Sequence, residues 1–196
     1  MRKKLVLGSI LATLLASATP HAHAQVEAGG SRFGSRLVAG AGFSNFAIDY
    51  RNGNRMNGLT AWIDWAPNHM PTFLNGVAVE VEARDIRFNR PSTLPTFRYD
   101  TALGGFTYHW NHYRRVKPFG RFLLGIGGVT FPPAGSYSHD TRTVYAPGGG
   151  VDYYATSHVV LRADYEYQVW PVLLSRTRNP NGFTFSVGYD FGGNSQ

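Results

Sequence analysis

Two short stretches of this 196-residue chain carry ionisable side chains at every second position. One runs Val79-Glu80-Val81-Glu82-Ala83-Arg84, the other Leu161-Arg162-Ala163-Asp164-Tyr165-Glu166-Tyr167, and Arg121 stands between apolar neighbours in a third. Adjacent carboxylates can act as general acid and base, a file of them can pass protons, and carboxylates facing arginines can form ion pairs. Spacing of two puts Glu80, Glu82 and Arg84 on one face of a strand, and Arg162, Asp164 and Glu166 on one face of another. Mixed signs on a shared face point to ion pairing, because a buried charge without a partner costs several kcal/mol. The expectation is a buried ion-pair network of Glu80, Glu82, Arg84, Arg121, Arg162, Asp164 and Glu166.

Other reactive residues lack the spacing that their chemistry needs. Ser138-His139-Asp140 and Ser157-His158 offer no third group to orient a nucleophile and its base, so no catalytic residues are expected. His109 and His112 are three apart, which on a strand points them to opposite faces, and the segment runs into a turn. No metal site is expected there. The glycine runs at 40–42, 125–128 and 148–150 precede no helical pattern, which excludes a dinucleotide fingerprint, and no cofactor is expected. Glycines there are expected instead to make room for long arginines opposite.

The elements that must hold these side chains are strands. About eight alternating segments are expected, near 36–48, 58–65, 77–88, 97–110, 119–129, 145–155, 159–169 and 183–191. Lengths near ten residues suit tilted membrane strands better than the shorter strands of soluble sheets. Parity is ambiguous only in the fourth, where Leu103, Phe106, Tyr108 and Trp110 do not share a face. Outer loops are expected near 49–57, 89–96, 130–144 and 171–182, with opposite turns near 66–76, 111–117 and 156–158. The fold class is all-β, an eight-stranded antiparallel up-and-down transmembrane β-barrel.

Alternation alone does not say which face is inside. A soluble ligand-binding barrel would turn the apolar face inward. The membrane sense is favoured by three features. The charged face uses only Arg as its cation, aromatics crowd the strand ends (Phe43, Trp65, Tyr99, Trp110, Tyr153, Phe183, Phe191), and Pro and Asn collect in loops. One count is unbalanced: with Asp64, Asp152 and Asp190 the inner face has seven acids against three arginines. That requires Arg98 to point inward, water to hydrate the ends, or some carboxylates to stay protonated.

Residues 1–24 read as a cleaved signal peptide: Arg2, Lys3 and Lys4, an apolar run, then Ala22-His23-Ala24. Residues 25–35 form a short lead, 36–191 the barrel and 192–196 a tail. Three of the cations behind the formal charge of +7 lie in the signal segment. Beyond it Arg greatly outnumbers Lys, which suits fixed, partly desolvated ion pairs. An exported chain gives its basic balance no nucleic acid to meet. Arg51, Arg55, Arg142, Arg176 and Arg178 fall in expected outer loops, where guanidiniums can contact anions such as lipopolysaccharide phosphates or an anionic polymer. The chain has no Cys.

With its strands placed, the chain resembles the small outer-membrane β-barrels, which include the transmembrane domain of OmpA-like proteins and the OmpX/Ail-type barrels. The resemblance spans about residues 33–191. It rests on Gly-Ala-Gly-Phe-Ser (40–44), Val-Glu-Val-Glu-Ala-Arg (79–84), Lys-Pro-Phe-Gly-Arg-Phe-Leu-Leu-Gly (117–125), Gly-Gly-Gly-Val-Asp-Tyr (148–153), Leu-Arg-Ala-Asp-Tyr-Glu-Tyr (161–167) and Phe183–Phe191. It implies a monomeric barrel folded by the barrel-assembly machinery in contact with outer-membrane lipid and lipopolysaccharide. The implied role is structural or adhesive, without catalysis. Two departures from the pattern are expected: no peptidoglycan-binding domain after the barrel, and a tail, residues 192–196, past the terminal aromatic Phe191.

Overall fold

Side chains that alternate between apolar and polar settle only when every strand turns the same kind of face the same way, and a closed sheet allows this without leaving an edge. The computed structural model describes residues 35–49, 55–67, 71, 74–89, 97–112, 115–130, 139–173 and 176–192. Its wall is built from β1 (Ser35–Ala47), β2 (Arg55–Pro67), β3 (Val77–Phe88), β4 (Arg98–His109), β5 (Val116–Thr130), β6 (His139–Tyr154), β7 (Val159–Tyr167) and β10 (Asn181–Asp190). Each strand pairs antiparallel with its neighbours in sequence, and β1 closes on β10, giving an eight-stranded barrel. Two short strands, β8 (Trp170–Leu173) and β9 (Arg176–Arg178), form a separate hairpin beyond β7.

The apolar face points outward. Phe106 and Phe185 are each 66% exposed, whereas Glu80 and Glu166 are fully buried. A soluble barrel would show the reverse, and so wide an apolar outer surface needs lipid to cover it. No helix among the described residues is long and apolar enough to cross a membrane. The barrel therefore has the membrane sense, and the soluble ligand-binding alternative does not fit it.

Inside, the filling changes along the axis. At the end where both termini lie, Val38, Trp62, Tyr154 and Val160 pack together. The charged side chains occupy the middle. At the opposite, loop-bearing end lies an apolar cluster that includes Phe46, Met56, Ile86, Tyr99, Leu103, Leu123, Val144 and Trp170. This layering resolves the parity of β4: Tyr99, Leu103 and His109 point inward, Phe106 and Tyr108 outward. Leu103 broke the pattern because the lumen is itself apolar at that level.

Several expected boundaries move. β2, β5 and β6 run longer than the alternation suggested, so Arg55 stands on β2, Lys117 on β5, and Asp140 and Arg142 on β6 rather than in loops or turns. The expected loop 171–182 contains the β8–β9 hairpin, which carries Arg176 and Arg178. Tyr99 is a buried lumen residue, not part of an outer girdle. Arg51, the signal segment and most of the expected lead and tail fall outside the described residues.

Candidate functional site

The site is the charged middle of the lumen, where side chains from β2, β3, β5, β6 and β7 meet. Cross-strand register places Asp64 of β2 opposite Glu80 of β3, and Asp152 of β6 opposite Arg162 of β7. Strands across so narrow a barrel are near enough for long side chains to bridge the lumen. Arg121 of β5 donates Nη2 to Asp164 Oδ1 at 2.8 Å and to Glu166 Oε2 at 2.7 Å, both on β7. Its Nη1 donates to Glu80 Oε1 on β3, and Glu82 Oε2 lies 3.1 Å from Nη2. One guanidinium thus ties three strands of the wall together.

Arg84 closes the same group from the loop side. Its Nη1 donates to Glu166 Oε1 at 2.6 Å, its Nε to Thr60 Oγ1 at 3.0 Å, and its guanidinium lies over the Phe46 ring. Thr60 and Thr184 each hydrogen-bond Ser44, at 2.5 and 2.9 Å, so these three hydroxyls are engaged with one another. Arg162 serves the terminal side. It donates Nε to Asp152 Oδ1 at 2.7 Å, Nη2 to Asp64 Oδ2 at 2.5 Å and Nη1 to Glu80 Oε2 at 3.3 Å. Its guanidinium carbon lies over the Trp62 ring, 3.6 Å from the centroid, and over the Phe119 ring, at 4.6 Å. That stacking exploits the planarity of guanidinium, which Lys lacks. Gly40 leaves space for the indole, since a Cβ there would meet Trp62 at 2.6 Å. All seven expected network residues are therefore brought together.

The expected surplus of acid is met differently. Arg98 points outward and pairs with Asp85 and Asp100 on the barrel's outer surface. The cations that the alternation did not reveal are at the terminal end: Arg36, whose Nε lies 2.8 Å from Asp190, and Lys117, buried with its ammonium 4.5 Å from the Tyr154 ring centroid. His109, expected in an interfacial turn, is buried with Nε2 3.2 Å from Asp152 Oδ2, while His112 is exposed in the following turn. All three sit where strands end and alternation gives way to turn residues, which hid them.

The hairpin caps the loop end. Trp170 is fully buried, with its ring centroid 4.8 Å from that of Tyr99. Its Nε1 donates to Gln168 Oε1 at 2.9 Å, Tyr99 donates its hydroxyl to the same oxygen, and Gln168 Nε2 donates to Glu166 Oε1 at 2.6 Å. A side chain at Gly127 would occupy the space of the Trp170 indole, so this glycine accommodates Trp170 and not an arginine.

Chemically, the arrangement suits filling rather than turnover. Ser157 Oγ lies 2.9 Å from His158 Nδ1 in a turn, and no acid orients that imidazole among the described contacts. His139 bonds Thr130 and Thr141. Of the expected anion contacts, Arg55 is exposed on β2 and donates to Asn45, and Arg142 pairs with Asp140 at 3.2 Å near the loop-end mouth. Arg178 donates Nη1 to the Asp49 carbonyl at 2.9 Å.

No curated protein sequence matches the chain significantly. Among solved structures, Neisserial surface protein A is similar at 17% identity, covering 80% of this chain and 96% of that one with a TM-score of 0.57. Ail, the attachment invasion locus protein of Yersinia pestis, solved in complex with the heparin analogue sucrose octasulfate, is 17% identical. It covers 80% of this chain and 98% of that one, with a TM-score of 0.55. The N-terminal β-barrel domain of Pseudomonas aeruginosa OprF is 16% identical with the same TM-score of 0.55, covering 80% and 97% of the two chains. These likenesses concern the fold. The match to the outer membrane protein beta-barrel domain family extends over residues 9–191, nearly the whole sequence, and the chain belongs to that family.

Proposed function

We propose that this protein is an integral outer-membrane barrel with a structural or surface-contacting role, whose filled lumen neither conducts solutes nor catalyses a reaction. The observation that supports this most is Arg121, which spans the lumen between β3 and β7 at a level where every neighbouring polar side chain is buried. Trp170 and the apolar cluster add a second, dry seal above it. On this reading the signal segment is removed on export and the barrel-assembly machinery inserts the chain as a monomer. Lipid and lipopolysaccharide then surround it, with the termini on the periplasmic side. Planar-bilayer recording of the refolded protein tests closure: no stable unitary conductance is expected, and a persistent open channel would overturn the proposal.

A second reading concerns the loop end. Arg142 has a side chain 41% exposed near the mouth, and Arg178 ties β9 to the end of β1, so the basic groups belong to ordered elements and not only to loops. An anionic polymer could then be held by preplaced guanidiniums. Replacing Arg142, Arg176 and Arg178 with Ser is expected to weaken adhesion of the barrel to heparin-coated beads. Unchanged adhesion removes this reading while leaving the closed barrel intact.

A further inference from the structure

Between the two mouths of the barrel, six buried carboxylates (Asp64, Glu80, Glu82, Asp152, Asp164 and Glu166) share three guanidiniums and the Lys117 ammonium among the described residues. The other buried acids have partners of their own at the ends, Asp190 with Arg36 and Asp140 with Arg142. With all six ionised, the interior would carry two more negative charges than positive, a surplus that a low-dielectric space does not tolerate and that bound cations or protons must offset. Arg84 and Arg121 serve the loop side. On the terminal side Arg162 is the one guanidinium for Asp64, Asp152 and an oxygen of Glu80. Asp64 Oδ1 is buried there with no hydrogen-bond partner.

The same corner holds His109. Its Nε2 lies 3.2 Å from Asp152 Oδ2 and 3.9 Å from Asp64 Oδ2, and one potential ligand atom from each of the three residues falls within a 4.8 Å group. Ligand atoms about 2.0–2.2 Å from a four-coordinate zinc ion stand roughly 3.2–3.6 Å apart, so these spacings need only small side-chain adjustments. We propose that Asp64, His109 and Asp152 form a binding site for a first-row divalent cation, with Zn2+ as the type ion, just inside the terminal mouth. A charge of +2 removes the interior surplus. Arg162 is compatible with it: a carboxylate oxygen has two lone pairs, and a guanidinium on one leaves the other for the metal while fixing the carboxylate's orientation. One imidazole with two carboxylates suits zinc or manganese better than magnesium or calcium, which take all-oxygen shells. Lys117 and His109 stand at strand ends beside the terminal mouth.

The test is calorimetric titration of ZnCl2 into the full chain, refolded in detergent and stripped with EDTA, with Co2+ absorption as a second readout. One Zn2+ per barrel is expected. Affinity should fall by about tenfold or more in His109→Asn and in Asp64→Asn, and be unchanged in His112→Asn, which reports on exposed imidazole. Visible Co2+ bands should disappear with His109→Asn. Absence of stoichiometric zinc binding by the unsubstituted chain overturns the proposal whatever the variants do. So does binding that survives His109→Asn and is lost in His112→Asn. In the first case protons rather than a metal neutralise the corner. A heat-modifiability gel on each variant shows that the barrel has folded.

Discussion

Arg121 is the residue on which most of the interior depends, because four carboxylates from two strands converge on it. Arg121→Met keeps much of the volume but leaves those acids facing one another in a dry space. The expected loss is about 3–5 kcal/mol, the usual cost of breaking a buried pair from one side. It should appear as a lowered urea midpoint for the lipid- or detergent-folded barrel. Arg98→Ala is the control: its pairs with Asp85 and Asp100 are on the exposed surface, and its removal should cost less than about 1 kcal/mol. Equal losses in the two variants would show that the lumen is hydrated. At this scale the sequence was informative where alternation is regular, and β3 and β7 disclosed their inner charges directly. It placed His109 and Lys117 in a turn and left the face of Arg36 unread, since a side chain's face is undefined where a strand passes into a turn. No spacing within one strand reveals that His109 meets Asp152 from the next strand but one of the wall.

Among the elements, the β8–β9 hairpin was the least legible. Its residues read as a loop because the strands are short and contain Pro171, and the inward turn of Trp170 depends on contacts with β4 and β5 rather than on local pattern. β3, by contrast, was expected at 77–88 and is found there, since both faces declare themselves at every residue. Gly127→Val tests the seat of the hairpin. A branched side chain would take the place of the Trp170 indole, so the hairpin should undock while the wall stays closed. Limited proteolysis should then cut more rapidly between residues 170 and 178, with the barrel fragment still resistant. Unchanged cleavage would mean that Trp170 does not anchor the hairpin. On the outer face, Val81→Arg puts a charge on an exposed apolar position of β3 and should cost about 2–4 kcal/mol if that position lies near the bilayer midplane.

For the molecule as a whole, one inversion organises the wall: its charged side chains meet in the middle of the interior and its exterior is apolar. Family membership and the wide apolar belt agree on this, and planar guanidiniums suit that interior, since Arg84, Arg121 and Arg162 each bridge several acids in a narrow lumen. The absence of Cys permits a clean test, because single cysteines can be introduced without background labelling. Phe106→Cys, Phe185→Cys and Ser44→Cys, each carrying a small fluorophore or challenged with a water-soluble thiol reagent in lipid vesicles, sample two lipid-facing positions and one inside. The account predicts quenching by lipid-borne spin labels at positions 106 and 185, and no reaction with the water-soluble reagent at 44 while the barrel is folded. Ready labelling at 44, or water-exposed fluorophores at 106 and 185, would contradict it.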